Sequence, residues 1–256
     1  PSSASPGGAY EKLGSREMTL SSDLDLIFIY SAKEDTVHSD GIISLPCANY
    51  YTRLGQRIIN AITAPTSEGS LYEVDMRLRP SGNTGPISTS LKSFSQYQVK
   101  SAWTWEHMAL TRARIIYSTS NHFCNQVQDV IKAALVQKRD LKKLLCDVAE
   151  MRTRIAKEKP VSSLWVLKRI RGGIIDIEFI AQFLLLKKAF SHPRILEPVS
   201  SEQIGLSDII KRLSWAGYLD SKEAIALTKA LKLYNALQSV IGLNVSTNIM
   251  LKNAKN

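Results

Sequence analysis

Three acidic residues carry the most evident chemistry in this sequence. Asp23 and Asp25 stand two apart in Asp23-Leu-Asp-Leu-Ile-Phe-Ile-Tyr30. That segment alternates at first and then turns continuously apolar, as a strand buried on both faces does. On such a strand the two carboxylates project from one face, while Leu24 and Leu26 point to the other. Asp75 lies in Leu71-Tyr-Glu-Val-Asp-Met-Arg-Leu78. Here Tyr72, Val74, Met76 and Leu78 fall on one face, with Glu73, Asp75 and Arg77 opposite. Three carboxylates aimed at one spot repel each other unless cations lie between them. Hard divalent ions such as Mg²⁺ accept carboxylate oxygens and leave room for substrate phosphates. Solvent-facing acids on a sheet edge would show the same spacing, so spacing alone leaves both readings open.

Several basic and small residues surround these acids. Arg77 shares the face of Asp75, and Arg79 continues it up to the turn-rich Pro80-Ser-Gly-Asn-Thr-Gly-Pro86. Each arginine suits a phosphate contact or, as the plainer alternative, a surface ion pair with Glu73. Gly14-Ser15 precedes Asp23 by eight residues. A glycine there lets the backbone approach a phosphate, and the serine offers a hydroxyl and an N–H. A lone Gly-Ser pair is usually only a loop.

The elements that must position these residues follow from hydrophobic period. Tyr51, Leu54, Ile58, Ile59 and Ile62 recur at helical spacing until Pro65. Leu91, Phe94 and Tyr97 predict a helix, and Trp105, Met108, Ala109 and Arg112 another. From about residue 119 the pattern is helical only, with stripes over Phe123–Leu135, Leu141–Ile155 and Ala224–Ile241. Ile174–Leu186 is apolar enough for a core helix. Residues 1–11, rich in Pro, Gly and Ser, read as a linker. The fold expected is α+β: a small mixed-sheet domain over 12–118, then an all-helical, bundle-like domain over 119–256.

Four segments in order carry a resemblance. They are Lys12-Leu-Gly-Ser-Arg-Glu-Met-Thr-Leu-Ser-Ser-Asp-Leu-Asp-Leu26, Tyr72-Glu-Val-Asp-Met-Arg-Leu-Arg-Pro-Ser-Gly82, Ala102-Trp-Thr-Trp-Glu-His-Met-Ala-Leu-Thr-Arg-Ala-Arg114 and Gly172-Gly-Ile-Ile-Asp-Ile-Glu-Phe179. A Gly-Ser pair, an Asp-x-Asp strand and a later strand Asp resemble the polymerase-β-type nucleotidyltransferase signature. Together the four segments resemble the glutamine synthetase adenylyltransferase family, whose large bifunctional enzymes carry an adenylyl-removing half and an adenylylating half. Tyr-Glu-Val-Asp and Trp-Thr-Trp-Glu-His are more similar to the C-terminal, adenylylating half. The resemblance covers about residues 12–241. A family strand leading into Lys-Leu-Gly is not evident in Ala9-Tyr-Glu11, and the family's last helical segment lies beyond the chain, so the sequence reads as a piece of a longer polypeptide.

The resemblance implies AMP transfer from ATP to a tyrosine of glutamine synthetase, with pyrophosphate leaving. It implies two Mg²⁺ ions, or Mn²⁺, on the catalytic carboxylates Asp23, Asp25 and Asp75, with Asp75 as the candidate proton acceptor. It places Gly14, Ser15, Arg77, Arg79, Glu106, Arg112 and Arg114 at the nucleotide, and makes a PII-type signalling protein a regulator. His107 is expected on a helix surface. Asp176 and Glu178 lie in an apolar segment, where unpaired acids are rare. Two apart on a helix they point about 200° from each other, so they cannot share one ligand. They are candidates for nucleotide contact, with one bound to Arg169 or Arg171. The other reading is helix-start charge after Gly172-Gly173.

Composition sets the outer bounds. The 256 residues are 44% hydrophobic and 22% charged, which excludes wholesale disorder. No apolar run approaches the roughly 20 residues of a membrane span. The chain opens without a basic-then-apolar leader, and Cys47, Cys124 and Cys146 lack metal-ligand spacing. A cytoplasmic protein is expected. The net charge of +10 is uneven. Residues 1–118 hold 11 basic and 11 acidic residues, whereas 119–256 hold 22 and 12. Such a surface attracts phosphate-rich or acidic partners. A nucleic-acid-binding or nucleotide-adding module would use it too, but Trp215 and Tyr218 are the only aromatic pair near the basic residues. Phosphorolytic removal of AMP is a further alternative, because one carboxylate site serves both directions. A silent docking fragment is disfavoured by the intact acids.

Overall fold

A computed structural model describes residues 8–9, 18, 22–32, 38–40, 42–67, 69, 72–197 and 205–253. Gly14 and Ser15 lie outside them. The chain divides into two compact units, with the main boundary between Gln137 and Lys138.

In the first unit, strand β2 (Leu24–Tyr30) is the axis of a mixed sheet. Leu26 through Tyr30 are all buried, as a strand with neighbours on both edges and cover on both faces requires. Strand β1 (Gly8–Ala9) runs antiparallel to β2 on one edge and to β5 (Arg114–Ile115) on its other side. Residues 8 and 9, expected within the linker, are therefore sheet residues. Two backbone-paired residues leave no hydropathy pattern to read. On the opposite edge of β2, β3 (Val74–Asp75) pairs parallel along its start and β4 (Ser88–Ser90) parallel along its end.

Helix α1 (Cys47–Thr63) buries Tyr51, which stacks on Tyr30 with ring centroids 4.6 Å apart. Helices α2 (Leu91–Lys100) and α3 (Thr104–Leu110) follow β4. Ser90 caps α2 by accepting from the Ser93 N–H at 3.2 Å. Helix α4 (Asn121–Leu135) packs on α2 and α3 through its buried stripe of Phe123, Val127, Ala134 and Leu135. That packing carries the first compact unit to Gln137, past the expected division at 118/119.

The second unit is helical among its described residues: α5 (Leu141–Glu158), α6 (Ile174–Ala189), α7 (Leu206–Trp215) and α8 (Ser221–Asn253). Its core joins Ile174, Ile177, Ala181 and Leu185 of α6 to Leu206, Ile209, Ile210 and Leu213 of α7 and to Ala224 and Leu231 of α8. Burying each of these leucine and isoleucine side chains contributes about 1.5–3 kcal/mol. The α+β class and the core position of α6 agree with the sequence pattern. Among the described residues no helix is long and apolar enough to cross a membrane.

Candidate functional site

The parallel register between β2 and β3 brings the acids together. Leu24 lies opposite Val74, and Asp25 directly opposite Asp75. A hydrogen bond from the Leu24 N–H to the Glu73 carbonyl, 2.8 Å, holds that register. Asp23 precedes the strand and is exposed, whereas Asp25 is half-buried.

Strand β3 ends at Asp75, although the alternation continues in burial through Leu78, with Met76 and Leu78 inside and Arg77 exposed between them. The strand's end has a local cause. Asp75 Oδ1 accepts the Arg77 backbone N–H at 2.8 Å, a side-chain bond that turns the chain away from the ladder. Asp75 Oδ2 accepts from Arg77 Nε at 2.7 Å and from Nη2. The partner of Arg77 is thus Asp75, not Glu73. The Arg77 guanidinium is held protonated first by its bond to Asp75 and by that charge, and further by the charges of Asp25 and Asp23. All three carboxylates act on this one cation. Burial alone would raise the Asp75 carboxyl; the Arg77 hydrogen bonds, with the charges of Arg77 and Arg79, outweigh it and hold the group below the usual carboxylate range.

Arg79 does not continue the acidic face. It is buried and donates to three carbonyls of its own loop: Met76 (2.7 Å), Gly85 (3.2 Å) and Asn83 (3.2 Å). Ser81 and Gly82 of that loop take positive φ, 64° and 55°, and the arginine ties the turn they make.

Glu106 is buried in the first turn of α3. Its carboxylate accepts the Trp103 N–H at 2.8 Å and the Tyr97 hydroxyl at 2.9 Å. Burial pushes its carboxyl above the ordinary glutamate value, and those two bonds offset the rise only in part. The sequence shows Tyr97 only as a helix-stripe residue, because it meets Glu106 across two helices, where no single-helix spacing links them. His107 is also buried, not on a helix surface; its Nε2 lies 2.9 Å from the Gln98 carbonyl oxygen. Arg112 is buried after α3, and Arg114 is half-buried on β5.

Asp176 and Glu178 belong to the second unit, on α6. Asp176 pairs with Arg152 of α5, not with Arg169 or Arg171, and accepts the Gly172 N–H at 2.6 Å. Gly172 has φ +77°, a left-handed conformation that side chains resist. Sequence alone could not pair Arg152 with Asp176, because they lie on separate helices 24 positions apart. Glu178 is half-buried two residues on.

The donor set fits a hard divalent ion: Asp23, Asp25 and Asp75 offer carboxylate oxygens only, the ligands Mg²⁺ and Mn²⁺ favour. Among the described residues no three His, Cys, Asp or Glu groups are gathered as a ready-made metal site. Asp75, which would complete the set, turns both oxygens to Arg77.

A family model described as glutamate-ammonia ligase adenylyltransferase matches residues 9–129. A curated protein of Bradyrhizobium sp. strain BTAi1, named bifunctional glutamine synthetase adenylyltransferase/adenylyl-removing enzyme, is 48% identical over 238 residues. The alignment covers 93% of this chain and 24% of that protein. A protein of the same name from Bradyrhizobium diazoefficiens is 49% identical over 93% of the chain and 23% of its own length. One from Xanthobacter autotrophicus is 44% identical over 94% and 24%. The chain spans about a quarter of the length of the curated relatives it matches.

Proposed function

Because the chain belongs to the glutamate-ammonia ligase adenylyltransferase family, we propose that it transfers AMP from ATP to a tyrosine of glutamine synthetase. The tyrosine oxygen attacks the α-phosphorus, the bond from that phosphorus to the bridging oxygen breaks, and pyrophosphate leaves. The observation that supports this reading is the in-register pairing of Asp25 with Asp75 on neighbouring parallel strands, with Asp23 just before the first of them. Two Mg²⁺ ions, or Mn²⁺, on these carboxylates would stabilise charge on the attacking and leaving oxygens.

The protein's own residues do the rest. Asp75 takes the tyrosine proton once it is no longer paired with Arg77, because the pairing lowers its basicity. Arg77, exposed beside the carboxylates, contacts the triphosphate. Arg79 and the Tyr97–Glu106 pair brace the loop and helix start beside the site. Gly14 and Ser15 approach a phosphate, and Arg112 and Arg114 add positive charge. By the family resemblance Glu178 contacts the nucleotide, whereas Asp176, held by Arg152 and the Gly172 N–H, serves the helix junction of its own unit. The residues around the sheet carry the nucleotidyl transfer, and the basic charge of the second half suits phosphate-rich or acidic partners.

Tyr-Glu-Val-Asp and Trp-Thr-Trp-Glu-His favour the adenylylating direction by their likeness to the C-terminal half of the family. The names of the relatives carry both directions, so phosphorolytic removal of AMP is the second reading. Family resemblance adds a PII-type signalling protein as regulator, with the reaction placed in the cytoplasm. ATP labelled at the α-phosphate tests the direction: label should pass to glutamine synthetase, and label at the γ-phosphate should not. Release of ADP from adenylylated glutamine synthetase in phosphate, without forward transfer, would select the second reading.

A further inference from the structure

Asp75 is paired with a cation, the guanidinium of Arg77. Its Oδ1 accepts the Arg77 N–H and its Oδ2 the guanidinium, so the acid needed to complete a three-carboxylate donor set is already paired. The side chain of Arg77 is 70% exposed, against 13% for Asp75. Among the described residues the guanidinium of Arg77 hydrogen-bonds to Asp75 alone. Arg79, two positions on, is instead anchored to three carbonyls. Arg77 is therefore the one of the two that can leave its partner without dismantling the loop. A guanidinium pairs with phosphate oxygens as readily as with a carboxylate, in the same forked geometry.

We propose that Arg77 is a positioning residue that exchanges Asp75 for the phosphates of the incoming nucleotide, so that Asp75 becomes available to divalent cations only when nucleotide is present. The inference rests on the reading of Asp23, Asp25 and Asp75 as a metal-binding set. While Arg77 stays, its positive charge opposes a divalent ion among the three acids. Once it turns to phosphate, the acids attract the ion at full strength. Cation loading thereby follows nucleotide binding, and without it Asp75 keeps the counter-charge of Arg77.

Mn²⁺ binding by the whole chain, followed by the paramagnetic resonance signal of the free ion, tests this apart from turnover. The proteins are wild type, Arg77→Gln and Arg77→Lys, each with and without an ATP analogue blocked at the α–β bridge, against analogue-only controls. Without the analogue, Arg77→Gln should bind Mn²⁺ about tenfold tighter than wild type. Arg77→Lys, which keeps the charge but not the fork, should fall between them. The analogue should tighten Mn²⁺ binding to wild type about tenfold, and to Arg77→Gln about twofold or less. If Arg77→Gln does not fold, as judged by circular dichroism, the same comparison is read from Arg77→Lys. Equal or weaker Mn²⁺ binding by the folded variant without analogue overturns the exchange and leaves the metal-site reading standing. No Mn²⁺ binding by wild type even with the analogue overturns both.

Discussion

Two aspartate–arginine pairs, one in each unit, resemble each other in composition and differ in surroundings. Asp75 and Arg77 lie two residues apart at the end of β3, with the arginine mostly in solvent. Asp176 and Arg152 join the start of α6 to α5, each 22% exposed. Arg152 Nη2 also donates to the Arg169 carbonyl at 3.2 Å, and Asp176 also accepts the Gly172 N–H. The second pair is built into a helix junction, while the first stands beside further carboxylates, and among the described residues no other hydrogen bond fastens its cation. Composition does not tell a structural clamp from an exchangeable contact. The number of other groups each partner satisfies does.

The largest effect expected is on catalysis. Asp75→Asn should slow AMP transfer by at least about a thousandfold, because it removes a charge that acts only where transition-state charge develops. A loss under tenfold in a steady-state labelling assay would remove Asp75 from the site. Next is the junction of the second unit. A Cβ at Gly173 would meet the Leu167 carbonyl oxygen and lie 2.9 Å from that of Ile170. Gly173→Ala should therefore destabilise that unit by about 2 kcal/mol or more, read from urea unfolding of the intact chain. An unchanged midpoint would mean that the loop over 167–173 yields freely.

The comparison itself is tested by removing each arginine. Arg152→Ala leaves Asp176 half-buried without its cation and should cost about 1–3 kcal/mol. Arg77→Ala removes a mostly solvated cation and leaves the backbone N–H of position 77 on Asp75, so it should cost less, about 0.5–1 kcal/mol. Equal costs would erase the distinction drawn between the two pairs.

The smallest effect is a pH slope from Glu106. Its carboxyl is raised by burial above 4.5, so the folded state binds its proton more tightly than the unfolded chain. The resulting stability is fully present below the ordinary value and lost as pH rises through the folded one. Melting temperatures followed upward from pH 4.5 should decline less in Glu106→Gln than in wild type. Parallel curves would show that Glu106 contributes no such slope.

Much of this arrangement was legible in the sequence. Period-two alternation located β2 and oriented Asp23 and Asp25, because a strand buried on both faces has to be apolar after its exposed start. Helical spacing located α1 through α5 and α8, since each stripe is the face that meets a core. The continuous apolarity of Ile174–Leu186 located α6, and α7 has no counterpart in that reading. What stayed hidden depends on contacts with no sequence period. The turn at Asp75 follows from one side-chain bond to the Arg77 N–H, which takes Arg79 off the expected face. The burial of His107 and the Tyr97–Glu106 contact arise between helices. The strand at Gly8–Ala9 rests on backbone pairing alone.

The central claim is that Asp23, Asp25 and Asp75 run AMP transfer onto glutamine synthetase. Intact-mass analysis of unmodified glutamine synthetase, after incubation with this chain, ATP and Mg²⁺, tests it most directly, with the Asp23→Asn/Asp25→Asn double variant as control. The account predicts a mass increase of one AMP per subunit with wild type and none with the folded double variant. Equal adenylylation by both proteins, or none by a folded wild-type chain that binds ATP, would contradict it.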